Sequence, residues 1–317
     1  MSDEHQTELA ASTLLQKLEG ITVALVTPMQ PNGALDRRGL DRLVERSLAH
    51  GARCLFPLGW AGEAPRLPDT VRREMIERTC RSAAGRAPVM AGVSEQSLPR
   101  ALELAAWARE AGADILLATP PYSYPIPQEI VHAFFRDLAG ESGMPLVAYQ
   151  NDDVGVRIDV ETMVQLSRTP GLVGVKAYMP FNQLQQAFHR AHRPGEFAIM
   201  SGDESLFGAA LMLGVRHFTM GTPGNLCLRW CVDMYQSAVE KDWDAVRAKQ
   251  KRLAEFCDAL YPRVESPSAA AKWIMHRAGL FASPYVTPPH RELPPEQQKW
   301  VAGVLDAFAD VVDPFDS

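Results

Sequence analysis

Eight short apolar runs, each followed by an amphipathic stretch, alternate between Ile21 and Leu260. The runs occupy residues 21–29, 54–59, 87–94, 113–120, 145–149, 172–177, 197–201 and 217–221. They are rich in Val, Ile, Leu and Ala and lack a polar face, as strands covered on both sides require. The intervening stretches at 36–50, 69–84, 97–111, 127–141, 159–168, 181–192 and 205–213 carry helical spacing, and 228–260 reads as one long or broken helix. In the first, Leu40, Leu43, Val44, Ser47 and Leu48 share one face, with Asp36 as the expected N-cap and Gly51 as the stop. Asp69 and Gly85 bracket the second in the same way; Gly112 and Gly214 end two others, and Pro127 suits a first helical turn. Eight strand–helix units predict a (β/α)8 TIM barrel. An open doubly wound sheet is the competing arrangement, but no G-x-G-x-x-G follows the first strand.

The expected domain plan is an N-terminal arm at 1–18, the barrel at 19–227, and the last barrel helix plus a helical extension at 228–317. Helical patterns at 266–280 and 294–312 form that extension. A net charge of -6 with no long basic run speaks against nucleic-acid binding. No apolar stretch is long enough to span a bilayer, and the polar, mixed-charge start lacks a signal-peptide pattern, so a cytoplasmic protein is expected. Five scattered cysteines suit reduced thiols. Neither Cys227-x-x-x-Cys231 nor His189-x-x-His192 has a third ligand beside it, so no metal site is expected.

In a barrel of this kind the chemistry sits at the C-terminal strand ends. The sixth run, Val173-Gly174-Val175-Lys176, ends on a lysine, a residue seldom buried without a partner or a task. A desolvated lysine loses its proton readily, and the neutral amine attacks carbonyls. The same face collects Tyr149, Tyr122 and Tyr178 from neighbouring strand ends, and the Gly59-Trp60-Ala61-Gly62 turn with its backbone N–H groups. Each has a bland reading: a strand-end Tyr as packing, the glycines as a tight turn, Asp203 as a helix cap. Together they describe a lysine that forms a Schiff base with a ketone, a tyrosine that moves protons, and a turn that holds a carboxylate. The implied substrate is a 2-oxo acid such as pyruvate, and the chemistry needs no metal or organic cofactor.

These residues resemble the dihydrodipicolinate synthase/N-acetylneuraminate lyase family of class I aldolases. The resemblance runs from about Gly20 to the C-terminal helices and is carried by Ala24-Leu25-Val26-Thr27-Pro28, Gly59-x-x-Gly62-Glu63, Tyr149, Val173-Gly174-Val175-Lys176, Ser201-Gly202-Asp203 and the Gly221/Gly224 region. It implies that Lys176 is the Schiff-base lysine, that Tyr149 relays protons, and that the amides of Trp60 and Ala61 bind the substrate carboxylate. Tyr122 matches the tyrosine that, in the synthase branch, reaches a neighbouring subunit's site, and a homotetramer built as a dimer of dimers is the family expectation. Gly59, Gly62, Gly202, Asp203 and Thr219 complete the expected binding set.

The chain departs from the family pattern at two places. The turn usually carries hydroxyl residues where Trp60 and Ala61 stand. After Tyr149 the family usually reads Asn-x-Pro, and the synthase branch soon adds an arginine; here Gln150-Asn151-Asp152-Asp153 follow and Arg157 comes late. An acidic loop repels an anionic second substrate, which argues against dihydrodipicolinate synthesis, and sialic-acid cleavage is no better supported. The expected activity is a Schiff-base lyase, aldolase or dehydratase. The rival is a barrel of the same family that binds 2-oxo acids without turnover.

Overall fold

A computed structural model describes residues 12–153 and 155–315 of the 317-residue chain. The strands are β1 (Gly20–Ala24), β2 (Cys54–Phe56), β3 (Met90–Gly92), β4 (Ile115–Ala118), β5 (Leu146–Asn151), β6 (Leu172–Tyr178), β7 (Ala198–Ser201) and β8 (His217–Met220). All neighbours are parallel, in the order β2-β1-β8-β7-β6-β5-β4-β3. A parallel bridge between Leu55 and Val89, and the bond from Gly92 N to Pro57 O (3.0 Å), join β2 to β3. The sheet is therefore a barrel, not a doubly wound sheet.

Strand alternation sorts the side chains. Cys54, Phe56, Met90, Ile115, Leu117, Val147, Tyr149, Ala198 and Met200 fill the interior. Val23, Leu55, Leu116, Val175 and Ile199 face outward under the helices. The helical residues 12–18 (α1) close the floor. Leu15 and Leu18 are buried against the inner wall, and the Leu15 carbonyl accepts from His217 Nε2 at 3.0 Å. Burial pushes the His217 imidazole down to about 4, which keeps it neutral for that bond. The part of the expected arm at 1–11 lies outside the described residues.

Most strands stop before the apolar runs do. β2 ends at Phe56 because Pro57 has no N–H and Leu58 turns into the left-handed region (φ 65°). β5 and β6 run longer than expected, pairing from Leu146↔Leu172 to Asn151↔Tyr178 with a register shift after Leu146. That shift sets Tyr149 directly opposite Lys176.

Seven helices follow strands or turns on the outside: α2 (Arg37–Ala49), α3 (Asp69–Ala83), α4 (Leu98–Ala111), α5 (Gln128–Ser142), α6 (Val160–Leu166), α7 (Phe181–Ala191) and α8 (Phe207–Leu213). Asp36 caps α2 by accepting from Gly39 N at 3.1 Å. Asp69 does not cap α3. Pro68 holds that position, and Asp69 is the first helical residue, where its charge faces the positive helix end and Arg100 (2.7 Å).

The region expected as one long or broken helix is two, α10 (Leu228–Val239) and α11 (Trp243–Leu260), and a short helix, α9 (Thr222–Leu226), precedes them. Lys241 in the left-handed region (φ 63°) turns the chain between the last two, and Asp242 caps α11. The extension is α12 (Pro267–Arg277) and α13 (Pro295–Ala307). Among the described residues no helix is long and apolar enough to cross a membrane, and all five cysteines are free.

One contact ties the extension to the barrel top. Lys272 of α12 and Glu63, just after the β2 turn, are both fully buried and pair at 2.7 Å. Thr287 N donates to the second Glu63 oxygen at 2.7 Å, and an Arg66 nitrogen lies 3.6 Å from it. Removing one partner strands a buried charge, whereas removing both does not. Lys272→Ala is expected to cost about 3–5 kcal/mol in urea unfolding, and Glu63→Gln combined with Lys272→Met to recover most of that loss.

Candidate active site

The centre of the inner wall is Lys176. It is 6% exposed, and its Nζ lies 3.6 Å from the centroid of the Tyr149 ring. No hydrogen bond or ion pair among the described residues engages that nitrogen. Burial pushes the amine down to about 7, against a weaker opposing pull from Glu204. Gly202 makes room for it: a Cβ there would stand 3.1 Å from Lys176 Cε and 3.4 Å from Nζ. Gly202 N also donates to Ala177 O at 2.9 Å, which fixes the end of β7 against β6.

Tyr149 sits on the adjacent strand with its hydroxyl accepting from Asn151 Nδ2 at 3.2 Å. Burial raises its phenol, so it keeps its proton near neutrality. Thr219 of β8 is 1% exposed and pairs in register with Thr22, which places it on the inner wall. One residue before it, Phe218 pairs with Ser201, so Thr219 lies beside Gly202. Its hydroxyl has no hydrogen-bond partner among the described residues.

The turn after β2 is held open by close approaches. A Cβ at Gly62 would lie 2.8 Å from Leu25 O, and Thr27 Oγ1 donates to Gly62 O at 2.6 Å. Gly92 leaves space for the Leu58 carbonyl, which a Cβ would meet at 2.1 Å. Glu63 closes the turn in the left-handed region (φ 61°). None of the hydrogen bonds among the described residues takes the N–H of Gly59, Trp60, Ala61 or Gly62 as donor. A run of unused amides can cradle an anion. The side chains of Trp60 and Ala61 border the same interior cluster as Tyr149 and Tyr178.

Tyr122, after β4, touches this group through Trp60: their rings meet edge-on at 5.8 Å and 73°. Asp203 behaves as a cap. Its carboxylate accepts from Ser205 N (2.8 Å) and Ser205 Oγ (2.7 Å) at the start of a short 3-10 turn. The structure thus brings together Lys176, Tyr149, Gly202, Thr219 and the Gly59–Gly62 turn, sets Tyr122 at the edge, and occupies Asp203 locally.

Three contributors escape a reading of the sequence. Asn151, two residues beyond Tyr149, shares its face by strand period, a signal the shorter expected strand concealed. Glu204 accepts from Tyr261 Oη, and burial raises its carboxyl. Asn225 donates to Ala24 O and Gly221 O, both at 2.7 Å, and accepts from Val26 N at 3.2 Å, so it splices the β8 turn to β1. By contrast, a surface cleft of about 370 Å³ lined by Arg73, Glu77, Cys80, Arg81 and Glu110 lies on the outer helices and holds none of these groups. Among the described residues no His/Cys/Asp/Glu cluster could hold a metal ion.

Comparison with known proteins gives a consistent picture. The profile of the dihydrodipicolinate synthetase family matches residues 17–308. A 4-hydroxy-tetrahydrodipicolinate synthase from Phenylobacterium zucineum is 30% identical over 293 residues, covering 92% of this chain and 96% of the relative. The solved dihydrodipicolinate synthase of Bacteroides thetaiotaomicron superposes with a TM-score of 0.86 at 28% identity, over 92% of this chain and 98% of that one. The chloride-inhibited synthase of Acinetobacter baumannii, solved in complex with pyruvate, superposes at 0.84 with 26% identity, over 93% and 99%.

An uncompensated lysine in this wall costs stability. In an unfolded chain the amine titrates near 10.4; here it titrates at about 7. Between those values the unfolded chain holds a proton that the folded one lacks, so stability rises with pH across that window; below it the full cost is present. Lys176→Met is therefore expected to raise Tm by a few °C at pH 6, and by progressively less as the pH nears 10, in calorimetry across that range.

Proposed function

Because this chain belongs to the dihydrodipicolinate synthetase family and is a lyase of that type, we propose that it acts on pyruvate or a substituted 2-oxo acid through a Schiff base on Lys176. The observation that carries this reading is the buried Lys176 amine, lowered to about 7 and free of any carboxylate, against the Tyr149 ring. At pH 7 such an amine is about half neutral, whereas an ordinary lysine is neutral in only about four molecules in ten thousand.

In this scheme the substrate carboxylate rests on the unused amides of Trp60 and Ala61, which turns its ketone toward Nζ. The amine adds to C2, and water leaves to give the iminium. The Tyr149 phenol, a proton donor at neutral pH, gives its proton to the C2 hydroxyl as it leaves as water, and the phenolate so formed takes a C3 proton to yield the enamine. Gly202 keeps space beside Nζ for the adduct, and the Thr219 hydroxyl is free to bond it. Tyr122 forms the edge of the mouth through Trp60. Lysine supplies the electron sink itself.

We assign the assembly to a homotetramer, a dimer of dimers, working in the cytoplasm. Tyr124 (78% exposed) and Ile130 (53%), close in sequence to Tyr122, supply apolar surface for a subunit contact. Mass photometry is expected to read four chains; a single-chain mass at micromolar concentration removes the assignment.

Borohydride reduction in the presence of pyruvate, followed by intact mass, tests the chemistry. The wild type is expected to gain one reduced pyruvate and Lys176→Ala none. The trapping rate should climb as pH rises through about 7, the value at which Lys176 loses its proton, and then level off. Tyr149→Phe should slow turnover by about 10²–10⁴-fold. An adduct that persists in Lys176→Ala sinks the assignment.

A further inference from the structure

The rim above Lys176 carries groups that the pyruvate half-reaction leaves unused. Trp60 meets Tyr122 at 5.8 Å. Gly155 presses on Tyr122 from the other side, where a Cβ would stand 2.5 Å from the Tyr122 carbonyl oxygen. The same loop begins with Asp152, whose N–H donates to Tyr178 O at 3.1 Å. Trp60, Tyr122, the loop after β5 and Tyr178 therefore form one continuous wall, and all three rings are only half-buried.

The charge on this wall is mostly negative. Asp152 and Asp153 stand on the loop, and Asp203 and Glu204 on the turn after β7. Burial and these four carboxylates push the Tyr178 phenol up to about 12. The loop's one base, Arg157, lies 3.7 Å from Asp152, with its side chain 59% exposed. A second, independent feature lies inside the wall. Thr119 follows Ile115 and Leu117 on the inner face of β4, and it comes one residue after the pair Ala118↔Ala148, which sets it beside Tyr149. It is 2% exposed, and its hydroxyl has no partner among the described residues. A buried, unpartnered hydroxyl next to a proton donor suits an incoming oxygen.

We propose that the second substrate is an aromatic aldehyde without negative charge, its ring against Trp60, Tyr122 and Tyr178 and its carbonyl oxygen toward Thr119 and Tyr149. This rests on the Schiff-base reading. The enamine C3 attacks the aldehyde carbon, and a C–C bond forms as the C=O π bond opens. The oxygen takes the proton that Tyr149 received from C3, and the enamine nitrogen becomes an iminium. Water hydrolyses it, returning free Lys176 and a 4-hydroxy-2-oxo acid, so pyruvate and aldehyde sum to product. An anionic aldehyde would meet like charge at the rim, while an aromatic ring gains edge and face contacts.

The test is the rate of condensation of pyruvate with benzaldehyde and with succinic semialdehyde, read by chromatography of the hydroxy-oxo acid. In the wild type kcat/KM is expected to favour benzaldehyde by about tenfold or more. Trp60→Thr should lower that ratio by about tenfold, and Asp152→Asn with Asp153→Asn should raise use of the anionic aldehyde several-fold. Equal use of both aldehydes, preference for the anionic one, or a ratio unmoved in both variants overturns the proposal. A pyruvate adduct trapped by borohydride with no benzaldehyde condensation overturns this inference alone; failure to trap any adduct overturns the Schiff-base reading beneath it.

Discussion

Closure of the parallel sheet is the constraint on which everything else rests. Once β2 meets β3, every second side chain of eight strands must share one interior. Residues as far apart in sequence as Trp60, Tyr149, Lys176 and Thr219 then face a common axis. The longest pairing, β5 with β6, carries the two groups with the most chemistry. Its register shift decides that Lys176 faces the interior rather than the helices, because a slip of one residue reverses every side chain beyond it.

Among the described residues two lysines are buried, and their surroundings give them opposite characters. Lys272 is fully enclosed and answered by Glu63, so its charge is a strut between the extension and the turn after β2. Lys176 has only a weak pull from Glu204 and a glycine beside it, so its amine is desolvated at a cost in stability. Coupling exists between the two. Glu63 ends the turn whose amides stay unused, and its left-handed backbone is held by Lys272 and Thr287 from the far end of the chain. The extension thus braces the turn after β2 from behind.

Much of this was legible in the sequence, for physical reasons. Alternating strand and helix periods reflect burial on both faces of the strands, so the barrel and its strand ends follow from pattern alone. Lys176 stood out because a cation ends an apolar run. What stayed hidden depends on contacts across sequence distance or on backbone detail. The Glu63–Lys272 pair spans 209 positions, and Lys272 sits in an alanine-rich helix that reads as ordinary surface or packing. Asp69 had the composition of a cap, yet Pro68 took that position. The reach of β5 to Asn151 was masked by its polar end, since a strand was expected to stop where hydrophobicity does. Tyr261 and Glu204 come from different layers, and only the packed structure brings them together.

The floor of the barrel has a kinetic meaning. With Leu15 and Leu18 packed into the inner cluster, the described residues close the bottom of the interior. Under the proposed chemistry, a reactant joined to Lys176 would lie beneath the aromatic rim, and a reactant held by the rim would lie above it, in the same passage. Entry and exit then form a queue: the deeper molecule must arrive first and cannot leave until the shallower one has gone. An excess of the rim-seeking partner would occupy the passage before the deeper site is filled, so the enzyme would be throttled by its own second substrate.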